Sequence, residues 1–133
     1  MLKPLVRLFF KTVRRILGPV LLLWERLTPP KPVVRSAAAQ ARLDALTQGM
    51  VLYQYRTCPF CLKVRRTLAR LALKVERRDA QHDLANRGEL EQQGGQIKVP
   101  CLRLTEADGR VRWLYESDAI IRYLEALPDA AAG

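Results

Sequence analysis

With 133 residues and an apolar fraction of 49%, the chain suits one domain with its own core and an appendage, not a disordered chain. Its net charge of +10 is concentrated at one end: residues 1–35 hold eight basic residues against the single acid Glu25, whereas residues 36–133 carry only +3. That argues against a nucleic-acid-binding domain face. Three cysteines and one histidine, His82, argue against a disulfide framework, leave no histidine-based triad and point to a reducing compartment.

The first 24 residues read MLKPLVRLFFKTVRRILGPVLLLW. Their longest uncharged apolar run is Ile16–Trp24, well short of the roughly 20 residues that span a bilayer. At about 100° per residue, Lys3, Arg7, Lys11 and Arg14 fall within an arc of about 80°, and Leu5, Val6, Phe9, Phe10, Val13, Ile16 and Leu17 occupy the opposite side. This is the pattern of a helix lying in a membrane interface, with its cations on lipid phosphates and Trp24 at the headgroup level. The expectation is peripheral attachment of residues 1–27 to an anionic surface, the inner face of a membrane, with the domain in the cytoplasm. Packing of the apolar stripe on the domain is the alternative. The Arg-rich, acid-poor composition of residues 1–35 also fits an organellar transit peptide. Gly18-Pro19 is expected to kink or end the helix. Thr28-Pro29-Pro30-Lys31-Pro32 reads as a stiff spacer. Residues 36–47 read as a helix capped by Ser36 and closed by Gly49.

From Met50 onward the pattern changes. Met50–Tyr55 has strand character, and Pro59–Leu73 is helical, with Phe60, Val64, Leu68 and Leu71 as a core stripe. Lys74–Arg78 reads as a second strand and Asp83–Gln93 as a short helix stopped at Gly94-Gly95. Val99–Leu104 and Arg110–Tyr115 read as a hairpin across Asp108-Gly109, and Ser117–Leu127 as a last helix before Pro128. The order β-α-β-α-β-β-α implies a mixed sheet flanked by helices. The chain thus divides into a basic helix and proline-rich linker (1–35), a connecting helix (36–49), a domain (50–128) and a disordered tail (129–133).

Cys58-Pro59-Phe60-Cys61 sits where the first strand of this domain passes into its first helix. Pro59 suits the first helical position, leaving Cys58 at the cap, where orphan N–H groups and the helix dipole favour a thiolate. Arg56 is expected to add positive charge. Cys61, one turn further in, is placed to attack a mixed disulfide on Cys58. Redox exchange is the leading reading of a Cys-x-x-Cys beside a β-α-β unit. A zinc site needs four ligands, and only Cys101 and His82 remain to complete it; no metal is expected. A two-residue loop makes a weak structural staple. Cys101 reads as a buried small residue, and His82 as a surface residue without a role.

Thr57-Cys58-Pro59-Phe60-Cys61, Val99-Pro100 and Tyr115-Glu116-Ser117-Asp118-Ala119-Ile120 together resemble glutaredoxins and the thioredoxin-like N-terminal domain of glutathione S-transferases, over about residues 50–127. The Cys-Pro-Phe-Cys tetrad is similar to the glutaredoxin Cys-Pro-Tyr-Cys, whereas Glu116-Ser117 looks more like the transferase branch. The resemblance implies a thioredoxin-like α/β fold with a four-stranded mixed sheet, carrying here an N-terminal helical extension. It implies Cys58 as nucleophile, Cys61 as resolving thiol and a cis Val99-Pro100 bond. It also implies a glutathione site at Arg56, Phe60, Val99, Pro100, Glu116 and Ser117. The expected activity is glutathione-dependent thiol–disulfide exchange on glutathionylated or disulfide-bonded proteins, by a monomer. The alternatives are a transferase or isomerase using the same glutathione site, and a non-catalytic, membrane-tethered module that binds glutathione or an iron–sulfur cluster.

Overall fold

The amphipathic N-terminal segment forms one unbroken helix, α1 (Leu2–Leu27). Ser36 then accepts the Ala39 N–H at 3.2 Å and starts α2 (Ala37–Thr47). The apolar run that follows becomes β1 (Val51–Gln54), and Cys58-Pro59 opens α3 (Pro59–Arg70). After β2 (Glu76–Asp79), Asp83 caps α4 (Leu84–Gly94) through the N–H groups of Ala85 and Asn86, and Gly95 at φ +90 closes it. That φ is one that glycine adopts without steric cost. β3 (Cys101–Thr105) and β4 (Val111–Tyr115) form the hairpin, and α5 (Ser117–Glu125) ends the domain. The computed structural model describes residues 2–128; the tail expected at 129–133 lies outside the described residues.

The four strands lie in the order β2-β1-β3-β4. β1 pairs in parallel with β2 and antiparallel with β3, and β3 pairs antiparallel with β4. This is a thioredoxin-like fold of the glutaredoxin type. Strand alternation sends side chains to two cores. Leu52, Leu102 and Leu104 meet Leu43, Val64, Leu68, Ile120 and Leu124 of α2, α3 and α5. On the other face Val51, Tyr53 and Cys101 pack with Ala80 and with Leu90 of α4. Tyr53, Cys101 and Tyr115 form one row across three strands. Just past that row β1 runs on to the Cys58 turn and β4 to Glu116, while Pro100 leads into β3, so the register brings the three motifs to one end of the sheet.

Two expectations require correction. The first helix does not end at Gly18-Pro19. Gly18 is buried, and a Cβ there would lie 3.1 Å from Thr57 Cγ2, so the glycine lets α1 lie against the turn before Cys58. Beyond it Glu25 bonds Arg65, and the Arg66 guanidinium stands 4.4 Å from the centre of the Trp24 ring. These contacts hold the second half of α1 in line and offset the cost of an internal proline, about 3 kcal/mol. Phe60 leaves the core stripe, being 58% exposed, because the first turn of α3 projects past the sheet end. The buried face of α3 consists of Cys61, Leu62, Val64, Arg65, Thr67 and Leu68.

The apolar stripe of α1 does not pack on the domain. Gly18 is buried and Leu21, Leu22 and Glu25 are half-buried, whereas Leu5, Phe9, Ile16, Val20, Leu23 and Leu27 are exposed. On a helical wheel the domain-facing set shares the side of Lys3, Arg7, Lys11 and Arg14. The domain therefore sits on the polar side of the helix and leaves the apolar side open. Among the described residues no helix is long and apolar enough to cross a membrane.

Candidate active site

The turn Tyr55-Arg56-Thr57 carries the chain from β1 into α3, with the Cys58 N–H donating to the Tyr55 carbonyl at 3.2 Å. Cys58 has extended backbone (φ −79, ψ 124) at the N-cap, and Pro59 follows at the start of the helix. Its Sγ completes no capping hydrogen bond of standard geometry. The thiolate is favoured all the same, and the thiol's pKa is lowered to about 6. The main cause is the Cys61 thiol bonding to it; the N–H groups of Cys61 and Phe60 and the Arg65 guanidinium add to this, against partial burial. Cys61 is fully buried, accepts the Tyr55 N–H at 3.5 Å, and has its pKa raised far above the thiol range, first by Cys58 and then by burial. One thiol is thus poised to ionise and its neighbour to stay protonated, which is the asymmetry that nucleophilic attack followed by resolution requires. All three cysteines are free thiols.

The positive charge expected from Arg56 comes instead from Arg65. Arg56 is exposed and its carbonyl accepts from Arg65 Nη2 at 2.9 Å. Arg65 is buried. Its Nε and Nη2 donate to the two oxygens of Glu25 at 2.9 and 2.8 Å, and its Nη1 donates to Gln54 Oε1 at 3.1 Å. Sequence reading missed this pair. A signal existed: Arg65 lies four residues after Cys61 and three before Leu68, on the buried side of α3, and a buried arginine needs a carboxylate. Glu25, the only acid in the basic segment, is that partner.

The other expected residues sit at the same end of the sheet. Val99-Pro100 is a cis peptide, with Val99 half-buried and Pro100 buried. Glu116 is exposed, holds φ +72 and pairs with Lys98. Such a conformation costs a non-glycine residue on the order of 1–3 kcal/mol and clusters at functional sites. Ser117 follows as the buried first residue of α5, whose opening N–H groups have no partners within the helix. Phe60 projects outward from the first turn of α3. Arg56 lines a separate cleft against α1. Cys101 is fully buried, and burial pushes its thiol up to about 12. His82 is exposed.

The model of the glutathione S-transferase N-terminal domain matches residues 52–132. The chain belongs to that family. Among solved structures, it is similar to the maleylacetoacetate isomerase of Anaeromyxobacter dehalogenans with dicarboxyethyl glutathione and citrate bound in the active site. The identity is 32%, over 57% of this chain and 35% of the isomerase, with a TM-score of 0.44. A second structure of that isomerase, with GSH in the active site, gives 31% identity, over 57% and 36% of the two chains, at a TM-score of 0.44. A wheat glutaredoxin gives 17% identity over 74% of this chain and 92% of its own, at a TM-score of 0.46. The chain spans about a third of the isomerase's length. No curated protein matches it.

Proposed function

We propose that this transferase-family domain is a glutathione-dependent thiol–disulfide oxidoreductase working at a membrane surface. The observation that carries the reading is Cys58 at the start of α3 beside the fully buried Cys61, a placement that lowers the Cys58 thiol's pKa to about 6 and raises that of Cys61. Cys58 attacks the glutathione sulfur of a mixed disulfide; the protein thiolate leaves and takes a proton from solvent. In the one-thiol route a second glutathione thiolate attacks the glutathione sulfur of the Cys58–glutathione disulfide and Cys58 leaves as a thiolate; in the two-thiol route Cys61 attacks Cys58 Sγ, glutathione leaves, and two further glutathione molecules reduce the resulting Cys58–Cys61 disulfide, their sulfurs joining. Oxidised glutathione and a protein thiol are the net products. The Val99 backbone beside the cis peptide, and the N-terminus of α5 opened by Glu116-Ser117, suit a peptide backbone and a carboxylate, as glutathione presents them.

Glutathione-coupled reduction of the mixed disulfide of glutathione and 2-mercaptoethanol tests this. Activity that survives Cys58→Ser sinks the proposal; activity retained by Cys61→Ser but lost with Cys58 assigns the one-thiol route. The family match over residues 52–132 favours a second reading, a transferase or isomerase using the same cleft. Addition of glutathione to an activated alkene, without disulfide reduction, selects it.

The outward apolar face of α1 supports membrane attachment, since the domain occupies only its polar side. Attachment raises the local concentration of the domain near membrane-bound disulfides. Leu5→Glu, Phe9→Glu and Ile16→Glu together are expected to abolish flotation with anionic vesicles. Unchanged flotation removes the membrane claim.

A further inference from the structure

Beside α1 lies a cleft of about 960 Å³ that belongs neither to the sheet end with Val99-Pro100 nor to α5. Arg26, Arg56, Arg65 and Arg77 line it against one acid, Glu25, which Arg65 already holds on both oxygens. Among the described residues Arg26, Arg56 and Arg77 have no carboxylate within ion-pair distance. Arg77 projects from edge strand β2. The residue is exposed, but its guanidinium is partly desolvated and repelled by Arg65, and both effects lower its pKa. Apolar residues share the lining: Pro19, Leu22 and Leu23 of α1, and Pro29. The cleft adjoins the nucleophile: Gly18 of α1 packs on Thr57, and Arg65 acts on the Cys58 thiolate.

We infer that this cleft is a docking groove for the polypeptide substrate, and that it selects disulfides flanked by acidic and apolar residues. The inference rests on the oxidoreductase reading and names its substrate class. Three guanidinium groups lacking ion partners, in a trough of ligand-pocket size, favour carboxylates. The leucine and proline residues of the lining favour apolar side chains between them. The groove exists only because α1 docks by its polar side, so the helix that meets the membrane also shapes substrate choice.

The test uses the full chain and three glutathionylated peptides of equal length around one cysteine: Glu/Leu-flanked, Ser/Leu-flanked and Lys/Leu-flanked. The mixed disulfide of glutathione and 2-mercaptoethanol serves as a substrate without flanks. The acidic peptide is expected to exceed the basic one in kcat/KM by at least about tenfold, with the gap shrinking as salt rises. The double variant Arg26→Glu/Arg77→Glu is expected to erase or invert that ratio while still reducing the small disulfide. Arg26→Gln/Arg77→Gln gives the neutral control. Acidic and basic peptides turned over within twofold of each other by the wild type, or a preference that survives the reversal, overturn the inference. So does an unchanged peptide preference in a reversed variant that has lost binding to anionic vesicles, since the cleft then serves lipid headgroups. If the small disulfide is not reduced at all, the oxidoreductase reading fails. The groove is then judged by anisotropy of a labelled, cysteine-free acidic peptide: binding to the wild type and not to the reversed variant upholds it, and no binding overturns it.

Discussion

Cys58 opens the helix α3, and Cys101 opens the central strand β3, in the row of Tyr53 and Tyr115. Cys58 is half-buried, with a thiol lowered to about 6; Cys101 is fully buried, with a thiol raised to about 12. The side chains are chemically identical, so their surroundings set the difference: first the Cys61 thiol bonded to Cys58, then the N–H groups of the helix start, against the burial of Cys101. A helix start presents N–H groups that lack intrahelical acceptors, and these stabilise an anion. A paired central strand spends its N–H groups on its neighbours and offers the sulfur an apolar core. What bonds to a thiol and how deeply it is buried therefore decide whether it reacts.

Exchanging each thiol is the strongest way to break this contrast. Cys58→Ser is expected to lower glutathione-coupled disulfide reduction by at least about a thousandfold, as loss of a nucleophile does, and Cys101→Ser to leave it within about twofold. Alkylation with iodoacetamide at pH 7 should label Cys58 at least about a hundredfold faster than Cys101. The Cys58 rate should climb through about pH 6 and flatten above it; a midpoint near the ordinary thiol value contradicts the assignment. The linkage sign follows. Because the folded thiol is more acidic than the unfolded one, stability rises with pH between about 6 and about 9. That contribution is fully present above the unfolded value and lost as pH falls through 6. Cys58→Ser should flatten this rise in a urea-titration series.

Arg65→Met sharpens the comparison by altering one thiol at a distance. It leaves Glu25, Gln54 and the Arg56 carbonyl without their donor, for a loss of about 2–3 kcal/mol by urea denaturation. It should also move the Cys58 alkylation midpoint upward and leave Cys101 unlabelled. Two truncations give the smallest effects. Cys101→Ala empties a little core volume, for about 1 kcal/mol. Phe60→Ala, at an exposed position, should stay within about 0.5 kcal/mol.

Local signals made the elements legible. Pro59 after Cys58, Asp83 before α4, the Asp108-Gly109 turn and the i, i+4 spacing of Val64 and Leu68 each report a boundary or a face within a few residues of where they act. The amphipathic arc of α1 was equally plain, because it depends only on helical period. The cis Val99-Pro100 bond and the glutathione-site reading of Glu116-Ser117 came from resemblance, since no local pattern encodes them.

What the sequence determined by itself was the element order, the Cys-x-x-Cys at a helix start and the two-sided character of the first helix. Only the tertiary structure decided which side of that helix the domain would take, that Arg65 rather than Arg56 would act on Cys58, and that Phe60 would stand outside the core. The reason is distance along the chain. Glu25 and Arg65 meet across 40 residues, and a single ion pair at that separation leaves no periodic trace. Once made, it draws the polar side of α1 onto α3, opens a basic cleft beside the nucleophile and leaves the apolar side of the helix facing away from the domain.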